Sequence, residues 1–170
     1  MRKIVYIFLF ACGFIISACY TIKPKAYIIY GHVTQSEDWC SGMAPGPEYD
    51  EVQRNPPPYI GLKLYIKRGG INSESAKVYK TVTTDSLGNF KLFLYPGNYI
   101  IMRAEKLKKP AIPKDDPYSK WDSACIIKNW RDGDYKFTVN YKSNKKISFD
   151  LRQHCNWNQL CLDYTGPLPP

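Results

Sequence analysis

Apolar and polar positions along the chain fall into short runs of period two, separated by turn residues. Phe90, Leu92 and Leu94 interleave with Asn89, Lys91 and Phe93, the pattern of a half-buried strand. Leu62, Leu64 and Ile66 alternate with Lys63, Tyr65 and Lys67, which are expected to face out. Tyr135, Phe137, Val139 and Tyr141 do the same, as do Ile147, Phe149 and Leu151. In residues 26–33, Ile29, Gly31 and Val33 share one face, and a glycine inside a strand marks a bulge or a close backbone approach. Residues 77–83 and 98–105 complete the expected strands. Helical pattern is sparse: one turn over 50–54, and a short helix between Trp121 and Trp130 with Asp122 as its N-cap.

The stretch from Thr83 to Ile101 holds two reversals. Asp85 suits the first position of a type I turn and Gly88 the fourth. Tyr95-Pro96-Gly97-Asn98 places Pro second and Gly third, as a type II turn requires. Two consecutive hairpins are therefore expected, within an all-β, antiparallel sandwich. Residues 34–59 contain Pro45, Gly46, Pro47 and Pro56-Pro57-Pro58, which cannot sustain a ladder, so they are expected to form a long loop inserted in the domain. Residues 153–170 lack periodicity and are expected to lie extended over the surface.

Composition agrees with many short elements: 13 Pro and 11 Gly, 44% hydrophobic and 15% aromatic, which is too apolar for a disordered chain. The first 18 residues read differently. Arg2 and Lys3 precede a charge-free apolar run from Ile4 to Ile16, which is too short to span a bilayer and has the make-up of an export signal. Ile16-Ser17-Ala18-Cys19 resembles the bacterial lipobox. That resemblance implies cleavage before Cys19, acylation of its thiol, and a membrane partner through the lipid anchor. Residues 19–25 then form a tether, 26–152 the sandwich and 153–170 the tail.

Gly31-His32-Val33, Gly61-Leu62-Lys63-Leu64-Tyr65-Ile66, Thr84-Asp85-Ser86-Leu87-Gly88-Asn89-Phe90 and Tyr95-Pro96-Gly97-Asn98-Tyr99 resemble carboxypeptidase regulatory-like domains, which are transthyretin-like β-sandwiches. The resemblance covers about residues 26–105. Together with the lipobox it is similar to lipoproteins of Bacteroidetes type, and it implies a cell-envelope, outer-membrane location. The family's usual short connection is replaced here by residues 34–59. The same fold serves hydroxyisourate hydrolases, but their Tyr-Arg-Gly-Ser tail is absent, so that activity is not implied.

Beyond Cys12 and Cys19 the cysteines are Cys40, Cys125, Cys155 and Cys161. In an exported protein they are expected to form two disulfides, and three pairings are open. Cys155–Cys161 with Cys40–Cys125 is favoured, because the first closes a short loop and the second ties the insertion down. Zinc binding by these residues and His154 lacks the usual ligand spacing, and neither a metal nor a cofactor is expected. His32 and His154 are the two imidazoles, and no nucleophile elbow, phosphate loop or zinc-protease motif occurs. The formal charge is +9 from 24 Lys+Arg against 15 Asp+Glu. The lysines are scattered, which fits anionic lipid or polyanionic glycan better than nucleic acid.

Aromatics offer the better lead. Trp39, Trp121, Trp130 and Trp157, with Tyr49, Tyr59 and Tyr118, fall in expected loops or in the tail. They either cover the sandwich ends or form a binding face for a glycan or an envelope protein. The sequence thus reads as a non-catalytic, lipid-anchored envelope module that binds or supports. The alternative is an envelope enzyme or glycan-binding protein acting on carbohydrate or peptidoglycan.

Overall fold

The computed structural model describes residues 25–143 and 145–167. The export signal, Cys19 and most of the tether lie outside the described residues. Nine strands, two α-helices and a 3-10 turn occur among those described: β1 (Tyr27–Glu37), α1 (Pro47–Arg54), β2 (Lys63–Arg68), β3 (Val78–Thr83), β4 (Asn89–Leu94), β5 (Gly97–Met102), the 3-10 turn (Ala104–Lys106), β6 (Ser119–Trp121), α2 (Ser123–Asp132), β7 (Tyr135–Val139), β8 (Lys146–Gln153) and β9 (Leu162–Tyr164).

Seven strands make a sandwich of two sheets, β4-β1-β8 and β3-β2-β5-β7, and β6-β9 forms a separate ribbon. Pairings are antiparallel except β1 with β8, which run parallel. The core lies between the sheets. Ile29 and Val33 of β1, Phe90, Leu92 and Leu94 of β4, and Ile147, Phe149 and Leu151 of β8 meet Leu64, Ile66, Tyr99, Ile101 and Val139 of the other sheet. The period-two reading thus holds in β1, β4 and β8. Gly31 is opposite Phe90, whose ring lies over it: a Cβ built there would stand 1.9 Å from Phe90 Cζ. The glycine is a seat for a ring, the close approach that its place in a strand implies.

Four expectations of local structure are corrected. The first concerns the two reversals, which are not hairpins. The 85–88 turn closes as expected, with Gly88 N–H donating to Asp85 O at 3.0 Å and Gly88 at φ +72°. Yet β3 pairs with β2 and β4 with β1, so the turn carries the chain from one sheet to the other. The next reversal carries it back, with Gly97 (φ +151°) already the first residue of β5. Turn chemistry specifies a reversal, whereas the choice of partner depends on which edges bury both sheets' apolar faces together.

The second correction is that residues 34–59 hold more than a loop with one helical turn at 50–54. β1 continues to Glu37, and α1 starts at Pro47, where a missing N–H is harmless, with Glu48 and Asp50 in its first turn and Arg54 in its last. Third, the tail is tied in: β9 pairs with β6, and Cys155 is buried. Fourth, Lys67 points at the outer face of its sheet but is only 2% exposed. A register shift lies between Ile66 and Lys67, and Lys67 Nζ donates to Asn72 Oδ1 (2.8 Å) and Ser73 O (3.1 Å). Burial holds this lysine's pKa below its ordinary value.

That outer face is covered because β5 is apolar on both sides, with Ile100 and Met102 as buried as Tyr99 and Ile101. The segment around α2 closes over it. Asp122 caps α2 as the sequence predicts, its Oδ1 accepting from Ala124 N (2.9 Å) and Cys125 N (3.0 Å). Asn72 links the layers, donating to Lys106 O and Trp130 O.

Candidate binding groove

The end of the sandwich where β1 and β8 finish carries the insertion. β1 delivers Gln35 and Glu37 there, and α1 delivers Tyr49, Val52 and Gln53. Between them lies an open groove of about 810 Å³, whose lining also includes Asp38, Trp39, Glu48 and Pro57. Trp39 and Tyr49 meet edge to face, with ring centroids 5.2 Å apart and planes at 63°. Their polar ends are held: Trp39 Nε1 donates to Met43 O, and Tyr49 Oη donates to Glu37 O at 3.0 Å. Gln53 Nε2 donates to the same carbonyl at 2.6 Å.

The groove wall is fastened to the tail by Asp38. Its Oδ2 takes His154 Nδ1 at 2.8 Å and Asn158 Nδ2 at 3.0 Å, while Oδ1 faces Arg152 Nε at 3.4 Å. Arg152 also donates to Gln53 Oε1 at 2.7 Å, which joins β8 to α1. A disulfide between Cys40 and Cys155 closes this clasp across 115 residues. The second disulfide, Cys125–Cys161, joins α2 to the turn before β9. The favoured pairings, Cys155–Cys161 and Cys40–Cys125, are therefore both corrected, while the expectation of two disulfides stands. Cys155 follows the end of β8, which runs parallel beside β1, so its neighbour is the end of β1 and not the sequence-near Cys161. Parallel registry between strands more than a hundred residues apart is invisible to a spacing argument.

The other aromatics separate. Trp130 is not a surface ring: it is 7% exposed, and its Nε1 donates to Lys106 O at 3.0 Å. An apolar helix face under an outer sheet face reads like a loop aromatic when the covering layer is unknown. Trp121 is half-buried in β6, and Trp157 is half-buried in the turn after Cys155; neither lines the groove. Tyr59 packs against the core and Tyr118 is exposed. Asp38, Arg152, Asn158 and Gln53 escape a sequence reading, since their partners lie 99 to 120 residues away and no local motif marks them. His154 is not paired with a nucleophile, and its bond to Asp38 serves the clasp. Among the described residues no group of three or more His, Cys, Asp or Glu is placed to hold a metal, and no helix is long and apolar enough to cross a membrane.

No family model matches the chain, and no curated protein matches it. Among solved structures it is similar to the shaft pilin SpaA from Lactobacillus rhamnosus GG, with 10% identity, a TM-score of 0.38 and 76% of this chain covered. A point mutant of that pilin gives a TM-score of 0.40 at the same identity and coverage. The chain spans about half the length of that pilin, 50% and 51% in the two cases. At these values the likeness carries no functional inference.

Proposed function

We propose that this chain is a non-catalytic, lipid-anchored binding module of the cell envelope, with the Trp39–Tyr49 groove as its ligand-facing surface. The observation that carries the reading is the groove itself. A strand end, a helix and a disulfide hold two aromatic rings beside carboxylates and amides in a cleft of about 810 Å³, a size suited to a small ligand. Aromatic faces take the C–H side of a sugar ring, and Glu37, Glu48 and Gln53 offer partners for its hydroxyls, so a glycan is the class of ligand that fits. The resemblance of residues 26–105 to carboxypeptidase regulatory-like domains supports an accessory role. The lipobox resemblance at Ile16-Ser17-Ala18-Cys19 supports the anchor and an outer-membrane location.

Two measurements test this. Glycan-array and calorimetric binding to envelope polysaccharide or peptidoglycan fragments should weaken about thirtyfold in Trp39→Ala, the scale of a central aromatic contact, while Trp121→Ala binds as the parent does. Equal binding by Trp39→Ala and the parent discards the groove. Metabolic palmitate labelling should mark the chain and disappear in Cys19→Ala; label that survives the substitution discards the anchor.

A further inference from the structure

The two ends of the sandwich differ in charge and in surface. The groove end carries Glu37, Asp38, Glu48, Asp50, Glu51 and Asp85. At the opposite end, where the chain enters at Lys25 and β1 begins, three segments free of Asp and Glu meet: residues 25–36, 86–104 and 135–149. Strand pairing brings them together, since Tyr27 is opposite Leu94, Ile28 opposite Phe93 and Tyr30 opposite Lys91, while Tyr30 N–H donates to Lys145 O. β7 ends there too, with Val139 opposite Gly97.

This end is also rich in exposed rings. Tyr30 is 49% exposed, Phe93 52%, Tyr95 44% and Tyr141 76%, with Ile28 beside them at 37%. Lysines stand over these rings: Lys91 Nζ lies 5.6 Å from the Tyr30 centroid and 5.4 Å from that of Phe93. Lys142 lies 5.4 Å from Tyr141, and Lys145 lies 4.4 Å from Tyr27. The 69–77 connection between β2 and β3 also leaves from this end, with Gly69 N–H donating to Asn98 O, and it carries Glu74; its Asn72 and Ser73 turn back to accept from Lys67. Amphipathic rings and long cations that hold an apolar stem low and a charged head outward are the side chains that settle at a lipid–water boundary.

We propose that this end of the sandwich is a membrane-docking face that rests on an anionic lipid surface, with Tyr30, Phe93, Tyr95 and Tyr141 at headgroup depth and Lys91 and Lys142 against lipid phosphates. The inference extends the anchored reading by setting the orientation: the tether that follows Cys19 joins the fold at the docked end, and the groove, lined by Gln35 and Glu37, stands five to seven strand residues beyond Tyr30, ~20 Å further from the bilayer. Charge complementarity favours lipid over a protein partner, because the three segments that carry the rings offer lysines and no carboxylate to pair a mixed-charge surface.

The test uses the full chain reconstituted into phosphatidylcholine vesicles and into phosphatidylcholine–phosphatidylglycerol vesicles, followed by flotation and by amide hydrogen exchange. Flotation with both reports the anchor. The docking face predicts slower exchange at residues 91–95 and 139–143 only with phosphatidylglycerol, and unchanged exchange at 43–50. Lys91→Glu/Lys142→Glu should float as the parent does but lose that slowing, each lysine removed weakening surface attachment about fivefold. Both side chains are exposed, and an unchanged melting temperature confirms the fold. A chain that floats with both vesicles and shows no phosphatidylglycerol-dependent slowing overturns the docking face and spares the anchor. Slowing at residues 43–50 reverses the orientation and overturns the proposal, and failure to float with either vesicle overturns both.

Discussion

Asp85 shows how one side chain sets a connection. Its Oδ1 accepts from Asn89 N–H at 2.8 Å and Leu87 N–H at 2.9 Å, and these bonds, the Asn89 one first, hold its carboxyl below the ordinary value of 3.8. A carboxylate with a depressed folded pKa stabilises the native state above its unfolded pKa, and that contribution fades as pH falls through the folded value. Asp85→Ala is therefore expected to lower the melting temperature at pH 6, and the difference from the parent should shrink as pH drops below 3.8. A difference that stays constant down to pH 2 means that the charge plays no part. The role of Asp85 is legible in the sequence because its partners are two and four residues on. Asp38 is the contrary case. It is the same residue type, but its partners Arg152, His154 and Asn158 arrive from the far end of the chain, so nothing near it announces a clasp.

At the scale of elements, the seven sandwich strands and α2 lie close to where period two and the Asp122 cap place them, whereas α1 lengthens an expected turn at 50–54 and the end of β1 replaces expected loop. Prolines mislead there. Pro47 begins α1, and the run from Pro56 to Pro58 leads from α1 to β2, with Pro58 bridging Thr34. The elements of the groove are held by a disulfide more than by packing, since α1 buries no residue fully. Chain-entropy arguments assign about 5 kcal/mol to a loop of 115 residues and about 4 to one of 36. Cys40→Ala/Cys155→Ala is thus expected to destabilise the chain more than Cys125→Ala/Cys161→Ala, by about 1 kcal/mol in urea titrations. It should also abolish groove binding. The reverse order would show that the clasp is incidental.

Over the whole molecule, the sandwich encloses β1, β2 and β5 between neighbours on both sides, while β3, β4, β7 and β8 are edges. Native-state exchange should accordingly be slowest at Ile29, Val33, Leu64, Ile66, Tyr99 and Ile101, and should approach the global unfolding rate there; slowest exchange in β7 or β8 would contradict the topology. Topology also sorts the surface, because segments scattered through the sequence gather into a groove end rich in carboxylates and an opposite end rich in lysines and exposed rings. By itself the sequence determined the all-β class, the inward faces of β1, β4 and β8, the 85–88 turn, the α2 cap and the number of disulfides, since most of these depend on residues within a few positions of one another. Only the tertiary structure decided which strands pair, which cysteines join, which tryptophan is buried and where the groove lies. Those outcomes depend on two sheets burying their apolar faces at once, a condition met by residues a hundred positions apart.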